Sequence, residues 1–130
     1  MKELYSKKVL QHFKKPKNMG KMSSADGIGK VGNPRCGDVM QLYIKVKKDK
    51  KGKEIIKDIK FQTFGCVAAI ATSSAMTELA KGKAINKAEK LTKDDVVKLL
   101  GGLPPIKLHC SMLVVDALKA AIKDYRRKKK

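Results

Sequence analysis

A chain of 130 residues has room for one domain with a real hydrophobic core, and not for two of ordinary size. Apolar residues make up 42% of it but aromatics only 5%, with no Trp, so the core must be built from Ala, Val, Ile, Leu and Met. The net charge is +19, yet no apolar signal region opens the chain and no run of 18 apolar residues occurs, so neither export nor membrane insertion is expected.

Residues 3–13, ELYSKKVLQHF, set Leu4, Val9 and Phe13 at helical spacing, and KKPKNMG breaks the pattern at Pro16 and Gly20. A short N-terminal helix is predicted. From there to Asp38 the chain is rich in Gly, Ser, Lys and Pro with little periodicity and reads as a long loop, so that residues 1–35 are expected to be partly mobile. From Val39 the period becomes two: Met40, Leu42, Ile44 and Val46 alternate with Gln41, Tyr43, Lys45 and Lys47. After the turn DKKGK a second alternation places Ile55, Ile59, Phe61 and Thr63 on one side, and the two strands should form a hairpin. Matching apolar faces sets Leu42 opposite either Phe61 or Ile59, and either register brings Cys36 and Cys66 together at the open end.

The stretch CVAAIATSSAMTELAKG then opens a helix whose small residues suit close packing on a sheet, with Gly82 as its stop. LTKDDVVKLLGG reads as another helix, with Thr92 at the N-cap, Asp95 three residues on and the Gly101 and Gly102 pair as terminator. The last helix is expected to begin near Ser111 and to carry Leu113, Ala117, Leu118, Ala121, Ile122 and Tyr125 on one face. No repeat or linker interrupts the chain, which reads as a single α+β domain over residues 1–130: an antiparallel sheet with helices packed to one side.

Much of the charge sits in KVKKDKKGK and in a basic tail over residues 126–130, the natural composition of a solvated surface. Basic chains attract phosphate, but no aromatic and basic residues interleave along one strand, and neither a helix-turn-helix nor a paired zinc-finger spacing is present, so nucleic-acid binding is not expected.

The three cysteines, 36, 66 and 110, are too widely spaced for a small disulfide framework and fit the reducing cytoplasm, where thiols serve as metal ligands or reactive groups. Cys66 and Cys110 fall at helix N-termini, where exposed N–H groups stabilise a thiolate, and Arg35 and Lys107 push the same way. Three thiolates brought together repel one another unless a cation is bound for some of the time. Three Cys and one His would satisfy zinc, and the same ligands suit an iron–sulfur cluster, so ligand type leaves both open. With no C-x-x-C pair, the ligands must come from separate loops. Asp38 is also readable as a turn former after Gly37, His109 as an ordinary loop residue, and His12 as a boundary residue of the first helix.

These residues carry a resemblance. YSKKVLQHFKKPKNMG, GNPRCGD at 32–38, FGCVAAIATSSAMTELAKGK at 64–83 and LPPIKLHCSMLVVDALKAAIKDY at 103–125 resemble, in order and over nearly the whole chain, the IscU-type iron–sulfur cluster assembly scaffolds, which include the N-terminal domain of NifU. The resemblance implies a small sheet of about three strands and a scaffold, not a turnover enzyme, on which a transient [2Fe-2S] cluster is built from Fe2+ and sulfur and passed to apo acceptor proteins. It implies Cys36, Cys66 and Cys110 as cluster thiolates, Asp38 and His109 as exchangeable ligands, and Zn2+ as an occupant of the same set. Cys110, read as lying on an exposed loop before the last helix, is the candidate acceptor of persulfide from an IscS/NifS-type cysteine desulfurase. Leu103, Pro104, Pro105, Ile106 and Lys107 would form the handle for a DnaK-type chaperone and its co-chaperone, with a frataxin-like protein and ferredoxin as further partners.

The chain departs from the pattern at Val67, where relatives often carry a smaller residue, and at Ile106, where the chaperone motif usually has Val; the extra methylene is worth at most about 1 kcal/mol. With no cluster-binding or thioredoxin-like region beyond residue 130, a stand-alone scaffold is expected. A zinc-dependent sulfurtransferase of the SufU branch is the alternative, and His109 and the compact spacing of the second and third cysteines weigh against it. A basic nucleic-acid module with structural zinc and a Cys–His hydrolase are weaker readings.

Overall fold

The computed structural model describes residues 6–33, 38–65, 67–103 and 108–129, with Asn33, Asp38, His109 and Lys129 described by their backbone alone. Helix α1 (Lys7–Lys14) begins where the Ser6 hydroxyl accepts the N–H of Val9 at 3.1 Å, and Val9 is its buried residue.

Three strands, β1 (Gly27–Asn33), β2 (Asp38–Lys48) and β3 (Glu54–Phe64), form an antiparallel sheet in the order β1-β2-β3. Leu42 lies opposite Phe61, so the first of the two anticipated registers is the one adopted. The turn between β2 and β3 is held by Asp49, whose side chain accepts the N–H groups of Lys51 and Lys53, and by Gly52 at φ +81°. Met40, Leu42, Ile44, Ile59 and Phe61 are buried on the inner face, each worth about 1.5–3 kcal/mol over exposure.

Two sequence expectations fail in the sheet. Ile56, not Ile55, is buried, because the register slips between Lys45 and Val46: Lys45 pairs with Asp58 but Val46 with Ile56, leaving Lys57 as a bulge. One extra residue reverses the in–out phase of everything before it. The second concerns the stretch from 14 to 38, read as a loop, which contains strand β1. Its GIGKVGN sequence lacks hydrophobic alternation because helix packing replaces side chains there. A Cβ at Gly29 would overlap the Ala117 carbonyl, and one at Gly27 would overlap the Ala121 carbonyl and lie 3.0 Å from Tyr125 Cβ. The inward positions of Gly27 and Gly29 are thus filled by the backbone of another element, while Val31 packs its side chain against the core.

The outer edge of β3 is covered by short segments. Phe61 N–H donates to the Asn18 carbonyl and Gly20 N–H to the Phe61 carbonyl; further along, Ile56 N–H donates to the Lys83 carbonyl and Gly82 N–H to that of Ile56.

Helix α2 (Val67–Ala80) is buried on nearly every side, from Ala68 and Ala69 through Ala75, Met76 and Ala80, and Gly82 at φ +85° ends the segment as predicted. A four-residue helix α3 (Ile85–Ala88), not anticipated, seats Ile85 and Ala88 in the core. Helix α4 (Lys93–Leu99) has the expected capping box: Thr92 accepts from Asp95 N–H while Asp95 accepts from Thr92 N–H.

Helix α5 (Leu108–Lys129) starts three residues earlier than Ser111, whose hydroxyl bonds back to the Leu108 carbonyl as an interior helical residue does. Its core face is Cys110, Val114, Ala117, Leu118, Ala121 and Ile122. At the far end it continues through the basic residues read as a tail. Arg126 donates to Glu89, and Arg127 and Lys128 pair with Asp124 at 2.6 and 3.0 Å.

Candidate metal centre

The packing of α5 on β1 decides which end of the sheet Cys110 reaches. Gly27 abuts Ala121 and Gly29 abuts Ala117, so the two elements run antiparallel. Two strand residues span about 6.6 Å and four helical residues about 6 Å, so the match holds along their length. Carried four residues further, to Asn33, it arrives at the first turn of α5. There Asn33 pairs with Asp38, Val39 pairs with Phe64, and α2 begins at Val67, three residues after β3 ends. The end of β1, the start of β2, the end of β3 and the N-termini of α2 and α5 therefore share one end of the molecule.

The five expected ligands fall unevenly on this frame. Cys36 and Cys66 lie outside the described residues, as does their expected meeting at the hairpin's open end. Asp38 is the first residue of β2 and His109 the second of α5; their side chains lie outside the described residues. Cys110 is described, and it corrects one expectation: it sits within the first turn of α5, fully buried, and not on an exposed loop. The helix begins at Leu108, which turns the thiol onto the core face with Val114 and Ala117. Among the described residues no group of three His, Cys, Asp or Glu side chains is placed to hold a metal ion. Of the expected partner handle, Leu103 packs half-buried against the core, and Pro104, Pro105, Ile106 and Lys107 lie outside the described residues.

His12 behaves as the boundary residue it was read to be. Its Nδ1 is 2.7 Å from Ser74 Oγ and its Nε2 3.6 Å from Glu78. Burial pushes its pKa below the ordinary histidine value, Glu78 pulls it back up, and Lys17 adds to the lowering. Gly27 and Gly29 are the positioning residues that sequence reasoning missed. Their signal was glycine at alternate positions, the period of a strand, in a stretch read as a loop.

A family model for the NifU-like N terminal domain matches residues 4–130. The chain belongs to this family. Within it, the chain is similar to a protein of Archaeoglobus fulgidus named iron-sulfur cluster assembly scaffold protein IscU 1, 60% identical over 96% of this chain and 78% of that one. It is also similar to the iron-sulfur cluster assembly scaffold protein IscU of Buchnera aphidicola, 53% identical over 96% of this chain and 97% of the relative. Among solved structures, an N-terminal NifU-like protein from Brucella abortus shares the fold at a TM-score of 0.73, with 17% identity and 96% of each chain covered. The α+β reading, with three antiparallel strands and helices on one face, is the fold of this family.

Proposed function

We propose that this NifU-like domain is a scaffold on which a transient [2Fe-2S] cluster is assembled from iron and desulfurase-derived sulfur and then transferred to apoproteins, a carrier and not a turnover enzyme. The observation that carries the reading is the 60% identity, over 96% of the chain, to a protein named as an IscU scaffold. Cys36, Cys66 and Cys110 are the proposed thiolates, with Asp38 and His109 as exchangeable ligands. The convergence of the β1, β2 and β3 ends with the N-termini of α2 and α5 supports this grouping, since those ends flank every one of the five positions. A mixed ligand set suits release: an imidazole or carboxylate holds iron more weakly than a thiolate and responds to protonation. Zinc is the proposed occupant in the absence of iron and sulfide.

The proposed partners are an IscS/NifS-type cysteine desulfurase, apo acceptor proteins, a frataxin-like protein, ferredoxin, and a DnaK-type chaperone with its co-chaperone gripping residues 103–107. A cytoplasmic site of action is proposed with them; among the described residues no helix is long and apolar enough to cross a membrane. Cys110 remains the proposed sulfur acceptor, and its burial adds a condition: the first turn of α5 must open for a partner's persulfide to reach it.

Anaerobic reconstitution with ferrous iron, a cysteine desulfurase and cysteine tests the reading. The expected result is the visible absorption of a [2Fe-2S] cluster and its transfer to apo-ferredoxin; a protein that forms no cluster, or holds one it cannot transfer, overturns it. Separately, Cys110→Ser should abolish persulfide labelling, and normal labelling in that variant would move the acceptor role to another thiol.

A further inference from the structure

Among the described residues no helix covers the other face of the sheet, and its cross-strand rows have a composition that no single strand reveals. Lys30, Gln41 and Gln62 lie side by side in one row, Ile28, Tyr43 and Lys60 in the next, and Gly32, Val39 and Phe64 at the end. Phe64 is 81% exposed, the most exposed of the large apolar side chains described, whereas Tyr43 is only 7% exposed. Along this face runs a groove of about 310 Å3 lined by Met19, Lys30, Gln41, Gln62 and Phe64 among others.

The polar groups in the groove are already ordered. Gln41 donates through Nε2 to the Tyr43 hydroxyl, which donates in turn to Gln62 Oε1 at 2.7 Å. That chain fixes both amides and leaves the Gln41 oxygen to accept and the Gln62 NH2 to donate. An adjacent acceptor and donor match the edge of a nucleobase, an exposed aromatic ring supplies a stacking surface, and lysines at the rim supply phosphate contacts. Lys30 lines the groove, Lys60 stands in the next cross-strand row and Lys47 lies further along β2; among the described strand residues of this face the acidic one, Asp58, is paired with Lys81 at 3.6 Å. The +19 net charge of the chain favours a polyanion over any neutral occupant.

We propose that the uncovered face of the sheet binds single-stranded nucleic acid, with one base stacked on Phe64 and read by Gln41 and Gln62 while Lys30 and Lys60 contact flanking phosphates. The β-sheet register thus assembles the aromatic and basic combination that the linear sequence lacks. At its Phe64 end this face adjoins, in sequence, the proposed ligands Asp38 and Cys66, but the contacts proposed here use none of the ligand side chains.

The test is fluorescence anisotropy of the whole chain with a labelled oligouridylate of about ten nucleotides, titrated between about 50 and 200 mM salt. Phe64→Ala should weaken binding about tenfold or more with an unchanged salt slope. Lys30→Gln and Lys60→Gln should each reduce the slope of log affinity against log salt by about 0.7, and Lys119→Gln, on the helical side, should change neither. The DNA counterpart, run alongside, identifies which sugar the face accepts. If Phe64→Ala, Lys30→Gln and Lys60→Gln all bind as Lys119→Gln does, or a duplex of the same length binds as tightly, the proposal fails. It also fails if polyglutamate of equal charge displaces the RNA as well as unlabelled oligonucleotide does, which would assign the face to an acidic protein.

Discussion

Two seams hold helices to the rest of this molecule, and they are made in opposite ways. At the first, α5 lies on β1 with no strand side chain between them at two positions: Gly27 and Gly29 meet the backbone at Ala121 and Ala117 directly, and the contact is closed by the Ile28 N–H donating to the Asp124 carboxylate at 2.9 Å. At the second, α1 and the turn after it lie on α2 through hydroxyls. Ser74 Oγ accepts the Lys17 N–H at 2.7 Å and meets His12 Nδ1 at the same distance, while Thr77 Oγ1 accepts from Asn18 and donates to the Lys17 and Ser74 carbonyls. The first seam is fixed by volume and cannot adjust. The second is fixed by a handful of hydrogen bonds, each of modest net worth, and can come apart while the rest stays folded.

The largest test of that contrast is Gly29→Ala. A methyl there must displace helix backbone, so a loss of about 3 kcal/mol is expected, read from the urea midpoint at constant slope. A loss under about 1 kcal/mol would mean that α5 can ride outward and that the seam is not volume-limited. Ser74→Ala comes next, at about 2 kcal/mol, because it strands a backbone donor. Its signature is local: amide exchange should accelerate through α1 and leave α5 unchanged, and uniform acceleration would sink the distinction.

Acidity should separate the seams more gently. His12 has a folded pKa below its ordinary value, so the folded state binds this proton less readily than the unfolded state does. The stability it lends is full above about pH 6.5 and declines as pH falls below that value. Asp124 is held down to about 2 by the Ile28 N–H first and then by Arg127 and Lys128. Its contribution is present above the ordinary carboxyl value of 3.8 and is lost as pH falls towards 2. Amide exchange followed from neutral to acid pH should therefore show α1 loosening first, and His12→Gln should flatten that first phase. Simultaneous loosening of α1 and α5 would contradict the two-seam description.

How much of this was legible in the sequence depended on whether side chains carried the information. Alternation gave β2 and β3, cross-strand matching narrowed Leu42 to Phe61 or Ile59, of which the fold adopts Phe61, and the Thr92 and Asp95 spacing gave a capping box. Strand β1 was hidden because two of its inward residues, Gly27 and Gly29, have no side chain to show a period, and the bulge at Lys57 was hidden because it is a matter of backbone count. The start of α5, expected near Ser111, was misplaced by three residues, and Ser111 lies inside the helix with its hydroxyl on the Leu108 carbonyl. That error mattered for the site, since it moved Cys110 from surface to core. The meeting of Cys36 and Cys66 was read from the hairpin register and the full ligand set from family resemblance, and geometry adds the frame on which their flanking elements meet.

One further consequence attaches to the Ile28 and Asp124 bond. The β3 margin of the sheet is covered by the chain itself, so β1 presents the edge along which another molecule's strand would add, and the Asp124 carboxylate occupies a donor on it. The group that clamps α5 is thus also a guard against aggregation. Protonating it should release both at once, so thioflavin-positive assembly is expected to set in only as pH approaches about 2, and Asp124→Asn, with its neutral amide, should bring that onset to milder pH. Onset at the same pH in both proteins would show that the edge is defended by something other than this carboxylate.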